Sequence, residues 1–218
     1  MKPLLLPFAL AACLSAGGVQ AANLLVNPGF ELPSGTGYAA LPGNSSAIAG
    51  WTTVLSGVEW FNATGYGGAA EGVMVVDLAN YVYTGGGIEQ TFATLAGQTY
   101  DLSFSLGTMQ ASGRDGTAHI DVTVAGSTTG YDVINHTGGM AWTPVSLSFQ
   151  ATGASTALRF SNTENPYLHF AYVDAASVAA VPEPESWAMM LTGLMLVGFG
   201  LGRKHSAPRF LPLRPDKY

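Results

Sequence analysis

Residues 98–106 read QTYDLSFSL, and this stretch decides the fold class. Tyr100, Leu102, Phe104 and Leu106 fall on one side of an extended chain, with Asp101, Ser103 and Ser105 on the other. A period of two is the signature of a strand with one face buried. The same alternation returns in AHIDVTVA (118–125), VSLSF (145–149) and ALRFS (157–161). GVMVVDL (72–78) is apolar almost throughout and reads as a strand covered on both faces. LAGQ (95–98) and SGRDG (112–116) lie between these runs and carry the residues that reverse a chain. Before Val181 no stretch has an apolar stripe at helical spacing. Eight or more strands in about 160 residues, with no crossover helices, predict an all-β antiparallel jelly-roll sandwich.

The composition fits one such domain. The chain has 218 residues, 28 of them glycine and only 10% charged, so its apolar content is ample for a packed core. From residue 22 to 180 eleven acidic side chains face only two basic ones, Arg114 and Arg159, with no lysine. Nucleic acid is not an expected partner, because phosphate binding needs a basic footprint. Basic residues gather instead at the end of the chain, in Arg203, Lys204, Arg209, Arg214 and Lys217.

The two ends differ from the middle. Residues 1–22, MKPLLLPFALAACLSAGGVQAA, have the basic start, apolar stretch and small residues of a secretory signal, with Ala21 and Ala22 flanking the cut. A rival cut before Cys13, after Leu10-Ala11-Ala12, would make that cysteine a lipidated N-terminus. With cleavage at Ala21 or Ala22 the single cysteine leaves, and the domain at 23–180 has neither a disulfide nor thiol chemistry. Near the other end stand Pro182-Glu183-Pro184, an apolar run from Trp187 to Gly202, and the pair Arg203-Lys204. As a helix those sixteen apolar-run residues would reach roughly 24 Å, near the lower limit of a membrane span. The basic pair would then stay on the cytoplasmic side. Residues 181–205 are thus expected to form one segment, and 206–218 are expected to be a basic, disordered tail.

That three-part segment resembles the PEP-CTERM sorting signal, and the resemblance implies a bacterial protein that an exosortase, a membrane protease, processes. It also implies an exported product at the cell envelope, outer surface or extracellular matrix, with a transient inner-membrane anchor, in an organism that makes exopolysaccharide. The continuation SAPRFLPLRPDKY beyond the basic pair departs from that pattern. A second resemblance rests on NLLVNPGFELP (23–33), IAGWTTVLSGVEWF (48–61), GVMVVDLAN (72–80), GGIEQTFATLAGQTYDLSFSLG (86–107) and FAYVDAASV (170–178). In this order they resemble choice-of-anchor exported domains and the galactose-binding-like jelly rolls of carbohydrate-binding modules and plant cell-wall proteins of unknown function. In those modules an acid of the first strand and an acid of the last hold a structural Ca²⁺; the matching positions are Glu31 and Asp174.

The sequence singles out no catalytic group, although a pair of carboxylates for glycoside hydrolysis would be set by spatial and not sequence spacing. The domain has His119, His136 and His169 but neither a GxSxG elbow nor an HExxH pair. His119 and Asp121 share a strand face, which alternation alone produces. Aromatic residues beside glycine-rich loops are the better candidates, because a flat ring stacks on a sugar face. Trp60, Tyr81, Tyr83 and Trp142 are the expected carbohydrate-binding residues, with Tyr66 and Tyr167 in similar loops, while Trp51 is expected in the core. The expected function is that of a non-enzymatic surface or matrix protein that binds exopolysaccharide. The alternatives are a purely structural or adhesive module and a glycan-active enzyme.

Overall fold

A computed structural model describes residues 22–35, 37–80, 85–182 and 192–195. The chain divides into two units, Met1–Ala179 and Ala180–Tyr218, and the first is an all-β antiparallel sandwich of two sheets. One sheet has six strands in the order β1 (Tyr38–Leu41), β3 (Val58–Asn62), β4 (Met74–Asp77), β11 (Tyr172–Ala180), β6 (Thr99–Thr108) and β9 (Ala141–Gln150). The other has five, β2 (Thr52–Leu55), β5 (Gly86–Ala93), β10 (Ser155–Asn162), β7 (Thr117–Val124) and β8 (Ser127–Ile134). Of the second unit only residues 180–182 and 192–195 are described; the latter form one helical turn. Among the described residues no helix is long and apolar enough to cross a membrane.

The strands sit where period-two patterning puts them. In β6 Tyr100, Leu102, Phe104 and Leu106 are buried while Asp101 and Ser103 are exposed. In β7 Ala118, Ile120, Val122 and Val124 turn inward at every second residue. Phe104 and Phe160 meet edge to face at 5.0 Å, and Phe30 packs on Trp51 at 5.0 Å, so the aromatic residues of both sheets fill the interior. Burying each such ring contributes about 2–3 kcal/mol. The outermost strands are polar: β8 buries only Val133, and β9 carries Pro144, tolerated because an edge strand need not donate a ladder bond there.

The six-stranded sheet is covered on its outer side as well. Alternation along β3 sends Trp60 into the sandwich and Glu59 and Phe61 to the opposite face. Across the ladder Phe61 opposes Val75, Glu59 opposes Asp77, and Asp77 opposes Tyr172. Phe61, Val75 and Tyr172 join Ala63, Met109 and Met140 in a second apolar cluster, against which Ala69, Ala111, Trp142 and Phe170 pack. This second layer explains why every residue of β4 is buried. It also gives the outer face a floor and walls.

Candidate functional site

The walls enclose a cleft of about 200 Å³ at the β3–β4–β11 end of that face. Its floor is a row of polar groups on three adjacent strands: Glu59, Asp77 and Tyr172. Phe61 and Met109 lie beside them, and Tyr38, Tyr66 and Phe170 complete the aromatic lining. Tyr38 and Tyr66 are 61% and 50% exposed, whereas Asp77 and Tyr172 are 2% and 0% exposed, so rings stand at the rim and polar groups at depth.

Local structure fixes each wall. The chain leaves β3 through a single 3-10 turn, Ala63–Tyr66, whose first amides are capped by the Asn62 side chain accepting from Thr64 N at 2.9 Å. Gly67 ends the turn at φ 112°, and a Cβ there would lie 2.6 Å from Met140 N, so only glycine lets the neighbouring loop come close enough for Met140 N to donate to Tyr66 O. Tyr66 is thereby held with its ring edge-on to Phe61 at 5.5 Å. On the other side Phe170 stacks on Tyr172 at 5.4 Å, and the Arg114 guanidinium lies 4.3 Å from the Phe170 ring centre. Arg114 also donates through Nε to Pro166 O and through Nη1 to Ser112 O, both at 3.1 Å, and so pins two loops.

The floor is electrostatically unusual. Asp77 accepts from Ala79 N and Ala171 N, and both bonds fall on Oδ1. Burial pushes its carboxyl up to about 7, against the pull of those two amides, so near neutral pH it exists in both protonation states. The Tyr172 hydroxyl is buried with no hydrogen-bond partner. Burial first, and the Asp77 carboxylate next, push its pKa well above that of an ordinary phenol, so it stays a donor. At the rim Tyr38 Oη donates to Glu59 Oε1 at 2.8 Å.

Glu31 and Asp174 come together elsewhere on this face, on the single loop 70–74. Glu31 Oε1 accepts from Val73 N and Met74 N at 2.8 and 2.7 Å. Asp174 Oδ2 accepts from Ala70 N and Glu71 N at 2.8 and 2.9 Å, and Oδ1 from Ala175 N at 2.7 Å. Gly72 sits between them at φ 63°, where a Cβ would meet Glu31 Oε1 at 2.4 Å. Burial pushes Asp174 up to about 7 despite those amide bonds, with the Glu71 charge adding to the rise. The two acids therefore clamp a loop. Calcium takes six to eight oxygen ligands. Here both Asp174 oxygens and one of Glu31 face N–H donors, and among the described residues no three His, Cys, Asp or Glu side chains are grouped to hold a metal. The donor set does not fit the ion that the jelly-roll resemblance implies.

The expected aromatic residues take different roles. Trp60 is 2% exposed and donates through Nε1 to Phe30 O, so it packs the sandwich and presents no ring face to a sugar. Trp142 is half-buried, donates through Nε1 to Gly68 O at 3.0 Å and leans on Tyr172, a brace behind the cleft. Trp51 is in the core as expected, at 2% exposure. Tyr66 lines the cleft, and Tyr167 is exposed outside it. Tyr81, Tyr83, Ala21, Glu183, Pro184, Arg203 and Lys204 lie outside the described residues; Ala22 and Pro182 are exposed. His119 lies between two carboxylates, with Nδ1 2.7 Å from Asp132 and Nε2 3.5 Å from Asp121. Sequence reasoning missed Asp77, Glu59, Tyr38 and Tyr172, although an acid inside the apolar run GVMVVDL was a visible signal.

A family model described as "Protein of unknown function (DUF642)" matches residues 23–171. No curated protein matches the chain. Among solved structures, a Stig cyclase, Fisc, from Fischerella sp. TAU is 16% identical with a TM-score of 0.53, over 75% of this chain and 98% of that one. An arabinose-bound α-L-arabinofuranosidase is 14% identical with a TM-score of 0.50, over 75% of this chain and 27% of that one. TmCBM61 in complex with β-1,4-galactotriose is 17% identical with a TM-score of 0.48, over 74% of this chain and all of that one. At these identities the likeness is one of fold.

Proposed function

We propose that this chain, which belongs to the DUF642 family, is a glycan-binding module that takes a neutral sugar into the Asp77–Tyr172 cleft. The observation that carries the reading is the Tyr172 hydroxyl, buried without a partner beside an acid whose bonds fall on one oxygen only, at the floor of an aromatic-lined cleft. An unpaired buried hydroxyl costs about 1–3 kcal/mol, and a ligand hydroxyl offers what the chain does not. Sugars combine flat apolar faces with hydroxyls that both donate and accept, matching rings at the rim and mixed polar groups below. The two carboxylates disfavour an anionic ligand, and the Arg114 cation is already occupied in holding loops.

Titration of neutral polysaccharides tests this. Binding is expected to survive moderate salt, since it does not rest on exposed charge pairs. Tyr66→Ala and Asp77→Asn should weaken it several-fold or more, and Tyr167→Ala should leave it unchanged. Absence of binding to any neutral glycan, or binding indifferent to both cleft variants, overturns the reading.

Delivery to the envelope by export and exosortase processing is the second half of the proposal. It is supported by the patterns at residues 1–22 and 181–205, and the intact mass of protein recovered from its native surface tests it. A product ending near Pro182 is expected, and one that retains Arg209 to Tyr218 argues against processing. A competing reading, glycoside hydrolysis, is favoured by the opposed Glu59 and Asp77, with Asp77 raised to about 7 as an acid would need. Release of new reducing ends, abolished by Asp77→Asn or Glu59→Gln, would replace binding with turnover.

A further inference from the structure

We infer that the cleft binds its glycan with Asp77 ionised, the free carboxylate oxygen Oδ2 accepting from a sugar hydroxyl, so that acid releases the ligand; this rests on the glycan reading and adds its control.

The bonding of the carboxyl selects the oxygen. Both backbone donors to Asp77, Ala79 N at 2.9 Å and Ala171 N at 3.2 Å, fall on Oδ1. Among the described residues none donates to Oδ2, and Asp77 lines the cleft. A proton taken up by this carboxyl therefore sits on Oδ2, because Oδ1 already faces two N–H groups. The atom that titrates is the atom left for a ligand.

The other polar groups decide which form suits a sugar. Tyr172 keeps its proton and offers a donor. Arg114 carries donors only, and two of them are turned to Pro166 O and Ser112 O. Glu59 accepts, but its Oε1 already takes the Tyr38 hydroxyl. With Asp77 protonated, the buried pair Asp77 and Tyr172 thus presents donors alone. With Asp77 ionised, the pair presents one donor and one acceptor, which together use both the lone pairs and the protons of sugar hydroxyls. A hydrogen bond to a carboxylate is also roughly twice as strong as one between neutral groups. Both tendencies favour the ionised form.

Few charges surround the switch. Glu59 on β3 opposes ionisation of Asp77, and Arg114 in the segment 109–116 favours it. Tyr172 on β11 opposes Asp77 across the ladder, and Tyr38 on β1 is tied to Glu59. Asp174, two residues beyond Tyr172, is bonded to the loop 70–74. His169 precedes Phe170 of the lining but places Nδ1 3.3 Å from Asp115 and 3.1 Å from the Thr117 hydroxyl. With the free Asp77 carboxyl at about 7, apparent affinity follows the ionised fraction and falls about tenfold from pH 8 to pH 6. At pH 6 binding expels close to one proton, which passes from Oδ2 to the buffer.

The test uses the full chain and β-1,4-linked hexasaccharides of glucose and of galactose, titrated by calorimetry at pH 6 and pH 8. Each pH is run in two buffers of different ionisation enthalpy, which counts the protons released. For whichever sugar binds, affinity is expected to be about tenfold higher at pH 8, with close to one proton released at pH 6 and few at pH 8. Asp77→Asn should bind weakly and equally at both pH values without proton release, whereas His169→Gln should keep the parent's ratio and proton count. Equal affinity at the two pH values, tighter binding at pH 6, or a proton count that follows His169 and not Asp77 overturns the inference, while the glycan reading stands if Asp77→Asn still weakens binding. No binding of either sugar at either pH overturns both.

Discussion

Asp77 and Asp174 are two buried acids on one sheet, in neighbouring strands, and burial pushes both up to about 7. They differ in what surrounds their oxygens. Asp174 accepts three amide bonds over both oxygens, so the chain uses it fully as a loop clamp. Asp77 accepts two, both on Oδ1, and stands opposite a tyrosine hydroxyl that has no partner. Similar desolvation thus has two meanings. Where the fold satisfies the group the site is structural, and where it leaves bonding capacity beside a cavity the site is available to a ligand.

The largest expected effect breaks or upholds the structural half. Asp174→Ala leaves the amides of Ala70, Glu71 and Ala175 without an acceptor and should cost about 3–5 kcal/mol in chemical denaturation. Asp174→Asn, which keeps one acceptor oxygen, should cost less. A loss under about 1 kcal/mol for Asp174→Ala would put the clamp aside.

The pH dependence sharpens the comparison next. An acid raised from 3.8 to about 7 on folding binds more protons in the native state between those values. Its stability contribution is therefore fully present below about 4 and is lost as the pH rises to about 7. Asp77→Asn keeps an acceptor for the amides of Ala79 and Ala171 and removes the buried charge, so it should flatten that decline and gain about 2–3 kcal/mol relative to the parent at pH 8. Parallel pH–stability curves for parent and variant would contradict this.

Smaller effects follow from the loop itself. Gly72→Ala places a Cβ 2.4 Å from Glu31 Oε1 at φ 63° and should cost about 1–2 kcal/mol. The smallest expected effect is none: a chelator should not move the melting temperature, because the clamp oxygens are taken by amides. A fall of several degrees on chelation, reversed by added calcium, would show that the ion binds the native state.

The sequence made the strands legible where one face is buried and the other wet, as in QTYDLSFSL and AHIDVTVA. STTGYDVI was not legible, because β8 is an edge strand with a single buried side chain and no apolar alternation. Trp60 was misread for want of parity: in VEWFN it shares its face with Val58, and the residues that reach the cleft are the intervening Glu59 and Phe61. The cleft draws Asp77 from one strand, Tyr172 from another nearly a hundred positions away and Tyr66 from a turn, a convergence that spacing along the chain does not encode. Glu31 and Asp174 do meet on one loop, but their ligands are amides, which no residue identity announces.

The most direct measurement is the pairing of stability and glycan affinity in Tyr172→Phe. Removing a hydroxyl that has no partner in the folded chain should leave stability unchanged or raise it, since nothing is lost but a desolvated polar atom. The same change removes the donor offered to the sugar and should lower affinity about tenfold, the equivalent of one hydrogen bond. A variant that loses stability while binding glycan as tightly as the parent would contradict the assignment, because the hydroxyl would then serve the fold and not the ligand.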